Sequence, residues 1–315
     1  MRRRPGAAFN SGLAKVFAAI QAARPPKLFV IADGPRANVA SDRDNCAAAR
    51  VIVDLVDWPC EVAKRFANAN LGLRRNVAEG LDWVFAQSER AIILEDDCLP
   101  DPSFFPFCEE LLECYAEDRH VAMIGGTNLD PEHAAPRGED SYYFSRFWQI
   151  WGWATWRRVW QLCDHEMKEW PELRRSCWLR GKVATGTAAN FWRRYFDDSY
   201  ARNRDSLKTW DVPCIFASWQ RDMLSIIPRK NLISNIGFGR EATHTKSQTR
   251  MARLPTNPID FPLRHPKETI VNTVADRYVQ EEFFEGTTRW QRLFWKLRVP
   301  LPIWLVRRVM RWLGR

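Results

Sequence analysis

The stretch Ala91-Ile92-Ile93-Leu94-Glu95-Asp96-Asp97 joins a short apolar run directly to consecutive carboxylates. A brief, continuously apolar run bounded by polar residues reads as a strand covered on both faces. Acids side by side at the end of such a strand repel one another, so their adjacency adds nothing to stability. A hard cation such as Mg²⁺ or Mn²⁺ removes that repulsion, and it prefers carboxylate oxygens together with substrate phosphate. The alternative is a solvated acidic turn that starts the next helix, with Asp101 and Pro102 as its cap and first-turn residues.

The same alternation continues on both sides of this stretch. Upstream, residues 27–32 form another apolar run, stopped by Asp33-Gly34-Pro35. Residues 50–55 are expected as a second strand, and 13–23 and 76–87 as helices. Downstream, 104–115 reads as helix and 121–124 as strand, closed by Gly125-Gly126. Helices alternating with continuously apolar strands predict an α/β fold with a mostly parallel sheet covered on both faces. Ligands of such sheets bind at the carboxyl ends of strands. That selects Asp33, Glu95, Asp96, Asp97 and Thr127-Asn128.

The second half is less regular. Residues 142–160 are packed with aromatics, 197–211 are polar with a helical look, and 226–238 carry strand and turn signals. Residues 255–266 are proline-rich and expected as a surface loop within a linker over 251–288. No internal repeat or low-complexity tract is visible.

The chain has 315 residues, 46% of them hydrophobic, which suffices for one large domain with appendages. Its net charge of +9 is concentrated at the end: 289–315 holds eight Arg or Lys and no Asp or Glu, leaving about +1 for 1–288. A nucleic-acid partner therefore loses its electrostatic support. Two apolar stripes at helical spacing, Trp290, Leu293, Phe294, Leu297 and then Ile303, Val306, Val309, Met310, Leu313, flank a Pro300-Leu301-Pro302 break. Basic amphipathic helices of this kind suit an anionic membrane surface, and equally a helix pair docked on the domain with a cationic outer face. The eight cysteines lack zinc-knuckle spacing and read as reduced core thiols, which fits the cytoplasm. With no run of about 18 apolar residues and no apolar stretch after Met1-Arg2-Arg3-Arg4-Pro5, the expected location is cytoplasmic, peripheral on the inner membrane face.

Six stretches in order carry a family resemblance: ADGPR at 32–36, NLGLRRNV at 70–77, IILEDDCLPDPSFF at 92–105, WGWATWRR at 151–158, TWD at 209–211 and NLISNIGFGREATHT at 231–245. Together they resemble family 2 glycosyltransferases and bacterial nucleotide-diphospho-sugar transferase-like proteins, with a Glu-Asp-Asp motif similar to that of N-acetylglucosaminyltransferase I. The resemblance implies a GT-A fold over 1–250: a Rossmann-like nucleotide-sugar half at about 9–130 and an acceptor half at about 131–250. It also implies a strand before Phe9-Asn10, a place where 1–8 are poor strand formers.

The roles implied are those of an inverting transferase that uses Mn²⁺ or Mg²⁺. Asp97 would contact the metal directly, with His244 as a late ligand or diphosphate contact. Glu95 and Asp96 would face the ribose and donor sugar, Asp33 the base or ribose, and Arg75 the phosphate at a helix start. Asp211 would be the general base that takes the acceptor hydroxyl's proton. Its competing reading is a helix cap, incomplete because Pro213 follows. Trp151, Gly152 and Trp153 would hold acceptor or donor sugar, although tryptophan is also core material. The donor would be a nucleotide sugar, UDP-linked by preference, and the acceptor a glycan or a lipid-linked one. A non-catalytic sugar-nucleotide-binding relative is the alternative. A nucleotidyltransferase would need a glycine-rich, lysine-bearing phosphate loop that is not visible.

Overall fold

The computed structural model describes residues 7–129, 139–201, 210–237 and 253–285. Helix α1 (Ala7–Ala23) starts earlier than expected and ends at Arg24, whose φ of 49° no helix continues. Pro25-Pro26 then hands the chain to β1 (Lys27–Ala32). Next comes α2 (Asp42–Val51), with Asp42 and Asp44 in its first turn and Arg50 in its last, the charge order a helix dipole favours. It runs on into a 3₁₀ turn over Ile52–Leu55, so the strand expected at 50–55 is absent. The β-branched run there follows an alanine-rich helix with acids in its first turn, and that context overrides its strand preference. The strand is instead β2 (Glu61–Phe66), which pairs with β1 in parallel from Lys27↔Glu61 to Ala32↔Phe66.

Helix α3 (Leu73–Phe85) starts at Gly72, where a φ of 79° admits glycine readily. It buries Leu81, Val84 and Phe85 and lays Gly80 directly on the Ile31 side chain of β1. The apolar run before the acids becomes β3 (Arg90–Ile93), and the acids lead into β4 (Cys98–Pro100). Helix α4 (Phe104–Cys114) and β5 (Val121–Gly125) lie where the periodicity puts them.

The aromatic stretch supplies β6 (Tyr142–Ser145), β7 (Trp153–Trp156) and α5 (Arg157–Trp160). Then follow α6 (Trp170–Leu173), α7 (Gly186–Ala201), α8 (Val212–Gln220), β8 (Leu224–Pro228), β9 (Ile233–Asn235) and α9 (Thr273–Val279).

The main sheet has five strands in the order β3-β7-β5-β8-β6. It is mixed rather than mostly parallel: of its four pairings only β5–β8 is parallel, and the other three are antiparallel. A strand buried on both faces is continuously apolar whichever way its neighbours run, so composition alone could not separate the two arrangements. The β1–β2 ladder stands apart as a two-stranded sheet, and β4 pairs with β9. The α/β class holds, in mixed form.

Trp153, Trp170, Trp192, Trp210 and Trp219 are enclosed in the core between this sheet and α7–α8. The interval 251–288 is more than a linker. Ile259 and Leu263 are buried, Val271 bridges to Phe144 on the outer edge of β6, and α9 buries Ala275 and Val279. Against the expectation of reduced thiols, Cys163 and Cys214 are joined as a disulfide; the other six cysteines are free. Among the described residues no helix is long and apolar enough to cross a membrane. The basic tail over 289–315 lies outside the described residues.

Candidate active site

Two ladders hold the acid loop at both ends. Before it, Ile93 of β3 sits opposite Trp153 of β7; after it, Cys98 of β4 sits opposite Asn235 of β9. The Cys98 amide donates to the Glu95 carbonyl (3.1 Å), and the Ile236 amide donates to the Asp97 carbonyl (2.8 Å). The loop is thus a tight turn whose three carboxylates cannot spread far apart. Gly237 lies so close to the Asp97 carboxylate that a Cβ there would overlap it. The Cys98 thiol donates to Asp97 Oδ1 at 3.4 Å.

Crowding shows in the acidities. Burial raises the Glu95 carboxyl to about 7, with added repulsion from Asp97, Asp96 and Asp211, against which the Trp210 indole donates a hydrogen bond. Asp96 is also raised, by burial and then by Asp97, although its side chain is the most exposed of the three.

The second acid arrives from far along the chain. Asp211 occupies the N-cap position of α8 yet makes no side-chain capping bond, with Pro213 in the first turn supplying no amide to cap. The competing cap reading is therefore not what the side chain does. Asp211 as a whole is 9% exposed. Trp210, immediately before it, links the two regions: its ring stacks on Trp153 at 5.3 Å and 22°, and Trp153 pairs with Ile93 just before the acid loop.

The remaining assigned residues are placed less simply. Asp33 is saturated by protein donors, namely the amides of Gly34 (2.7 Å), Leu71 (2.7 Å) and Gly72 (3.0 Å) and the Asn70 amide group (2.8 Å). It ties the end of β1 to the turn that starts α3, and its acceptor capacity is used there rather than on a base. Arg75 is exposed and pairs with Glu79 (2.5 Å), which Arg65 also reaches (2.6 Å). Its neighbour Arg74 faces inward, donates to the His165 carbonyl (2.8 Å), and has its pKa lowered by burial. The inward position was readable from Arg74 sharing a helical face with Val77 and Leu81.

Trp153 is fully enclosed, so no sugar can lie on its ring, and its assignment passes to the core. Gly152, at φ 60°, makes its close approach to the Ile233 side chain and not to an open surface. Trp151 is half-buried against the core, and its carbonyl accepts from Thr127 Oγ (2.8 Å). His244 lies outside the described residues. Trp210 and Gly237 were missed as site residues, though each stands inside a motif that was picked out, TWD and NLISNIGFGREATHT.

Among the described residues no three His, Cys, Asp or Glu side chains form a ready-made metal cage. Crowded carboxylates of this kind still match the donor set a hard cation takes when phosphate oxygens and water complete its shell. A separate cavity of about 390 Å³ opens at the carboxyl end of β2, lined by Arg65, Phe66, Ala67, Asn68, Ala69 and Leu71. Comparison with protein-family models and with curated proteins found no match to this chain.

Proposed function

We propose that this chain is an inverting, metal-dependent glycosyltransferase that moves a sugar from a nucleoside-diphosphate donor, preferably UDP-linked, to a glycan or lipid-linked acceptor. The observation that carries the reading is the convergence of two acid motifs far apart in sequence: Trp210, next to Asp211, stacks on Trp153, which pairs with Ile93 just before the Glu95–Asp97 loop. Asp211 accepts the proton of the acceptor hydroxyl as that oxygen bonds to the anomeric carbon and the bond to the diphosphate oxygen breaks. Asp97 would hold Mg²⁺ or Mn²⁺, which when bound supplies positive charge to the departing diphosphate, while Asp96 faces the donor. Glu95 accepts hydrogen bonds from the donor's hydroxyls. The cavity beyond β2 lies at the carboxyl edge where nucleotides sit in α/β sheets, and Asn68 and Phe66 offer an amide and a ring to a base.

A panel of nucleotide sugars with Mn²⁺ tests this. Wild type should cleave or transfer from at least one donor. Asp97→Ala should abolish turnover together with Mn²⁺ dependence. Asp211→Asn should lose at least about 100-fold in rate, a typical general-base contribution, while still binding the donor. A wild type that neither binds nor cleaves any donor rejects the enzyme reading, and undiminished turnover in Asp211→Asn rejects that base.

A further inference from the structure

The segment beyond α5 and the first turn of α8 are joined covalently, by the disulfide between Cys163 and Cys214. Cys163 lies three residues past the end of α5, and Cys214 three residues past Asp211. The α5 side is fastened to α3 at two points: the Trp160 indole donates to Asp82 (2.8 Å), and Arg74 donates to the His165 carbonyl (2.8 Å). The α8 side is held unevenly. Phe216 and Trp219 pack on Trp170 (5.8 Å) and Trp192 (4.7 Å), so the body of the helix keeps its place without the bond. The first turn has fewer ties. Pro213 brings it no amide and Asp211 gives it no side-chain cap, leaving the amides of Cys214 and Ile215 on the Asp211 carbonyl, both at 3.0 Å.

Three features mark the bond as reversible. The chain keeps its other six cysteines as thiols, and a core this rich in tryptophan needs no cross-link to fold. Cys214 is wholly enclosed but Cys163 is partly exposed, so a thiolate can reach the bond from the Cys163 side. The Trp160–Trp210 ring contact (6.3 Å) keeps the two segments neighbours when the bond is open, ready to form it again.

We propose that Cys163–Cys214 is a thiol–disulfide switch, which holds the first turn of α8 against the α3-anchored segment when oxidised and releases it when reduced. A dithiol supplies the reduction. Its thiolate attacks Cys163 Sγ, the S–S bond breaks with its electron pair going to Cys214 Sγ, and that sulfur takes a proton. The second thiol, as thiolate, attacks the mixed disulfide and expels Cys163, which is protonated in turn. Two electrons and two protons pass to the protein, and the dithiol leaves as a disulfide. The switch stands on this geometry; its effect on turnover rests on the reading of Asp211 as the general base.

The full chain is compared oxidised, after dithiothreitol, and after re-oxidation with oxidised glutathione. Alkylation and mass spectrometry should count six free thiols, then eight, then six. In hydrogen exchange, the amides of Cys214 and Ile215 should exchange at least about tenfold faster in the reduced form, those of Ala217 to Trp219 within about twofold, and both should recover on re-oxidation. Cys163→Ser should exchange like the reduced form with or without dithiothreitol. A bond that dithiothreitol leaves intact in the folded chain overturns the proposal, as does protection that reduction leaves unchanged, or reduction that unfolds the whole chain. If Cys163→Ser does not fold, the three wild-type states decide alone. Turnover is a separate arm: nucleotide-sugar transfer should fall at least about tenfold on reduction and return on re-oxidation. Release of the turn with turnover unchanged keeps the switch and rejects Asp211 as the base. A chain that uses no donor in either state rejects the base reading, and exchange still decides the switch.

Discussion

A side chain at Gly237 would have to occupy the space that the Asp97 carboxylate fills. The contact has no give on either side. Asp97 is pinned by its carbonyl to the Ile236 amide (2.8 Å), and Gly237 by its amide to Asn235 Oδ1 (2.9 Å). Gly237→Ala should therefore move the carboxylate rather than be absorbed, costing about 1–3 kcal/mol in urea unfolding and most of the Mn²⁺ affinity. A variant of wild-type stability and Mn²⁺ affinity would show that this contact does not set the loop. The glycine stood inside a motif quoted from the sequence, but its partner could not be read there. Asp97 and Gly237 are 140 positions apart, and only the β4–β9 ladder brings them together. Asp33 teaches the converse lesson. Its place after a strand was legible, yet three of the four donors that fill it lie on a turn 37 to 39 residues further on.

Among the elements, α9 shows how a polar contact can fasten a helix to a sheet edge. Asn272 caps it by accepting from the amides of Val274 (3.2 Å) and Ala275 (3.1 Å). One turn on, Asp276 accepts from Ser145 Oγ (2.5 Å) and the Arg146 amide (3.0 Å) at the end of β6. Burial raises its carboxyl to about 6, against the pull of those two donors and of the Arg146 charge. The sign follows from linkage. A carboxyl raised in the folded state favours folding below its unfolded pKa, near 4, and that contribution fades as pH climbs through 6. The folded protein should lose on the order of 3 kcal/mol between pH 4 and pH 7 from this group. Asp276→Asn should lack that part of the pH dependence in urea unfolding at the two pH values. Identical profiles for wild type and variant would mean that Asp276 ionises in the fold as easily as in the unfolded chain. Local pattern served well for elements whose apolar face repeats, such as α3, α4 and β5. It misled at 50–55, where three β-branched residues continue a helix nucleated upstream. It was silent on β2, whose six residues alternate too weakly to stand out from loop.

For the whole molecule, the division between the two sheets has consequences for stability and binding. Strands β5 and β8 are buried along their full length, whereas every residue of β1 is only partly covered. The β1–β2 ladder reaches the rest through α3, which packs on both β1 and β3, and through the Asp33 cross-link to the turn before α3. Strand direction and sheet order depend on pairings far apart in sequence, which is why a mixed sheet could be expected as parallel although β3 and β5 were legible, while β6 and β7 were hidden in an aromatic stretch with no strand signal of its own. Less apolar burial per residue means a lower free energy of local opening. In hydrogen exchange, the amides of Phe29 to Ala32 should be protected at least about tenfold less than those of Val121 to Ile124, though both are ladder-bonded. Equal protection would show that the two sheets open as one unit. The cavity beside β2 adds a second arm to the measurement, because a ligand that binds only the folded state must suppress opening of the part it touches. UDP with Mn²⁺ should raise protection in β1 and β2 selectively and leave β5 and β8 near their unliganded rates. A rise confined to the acid loop would move the base away from this cavity while keeping the diphosphate at Asp97.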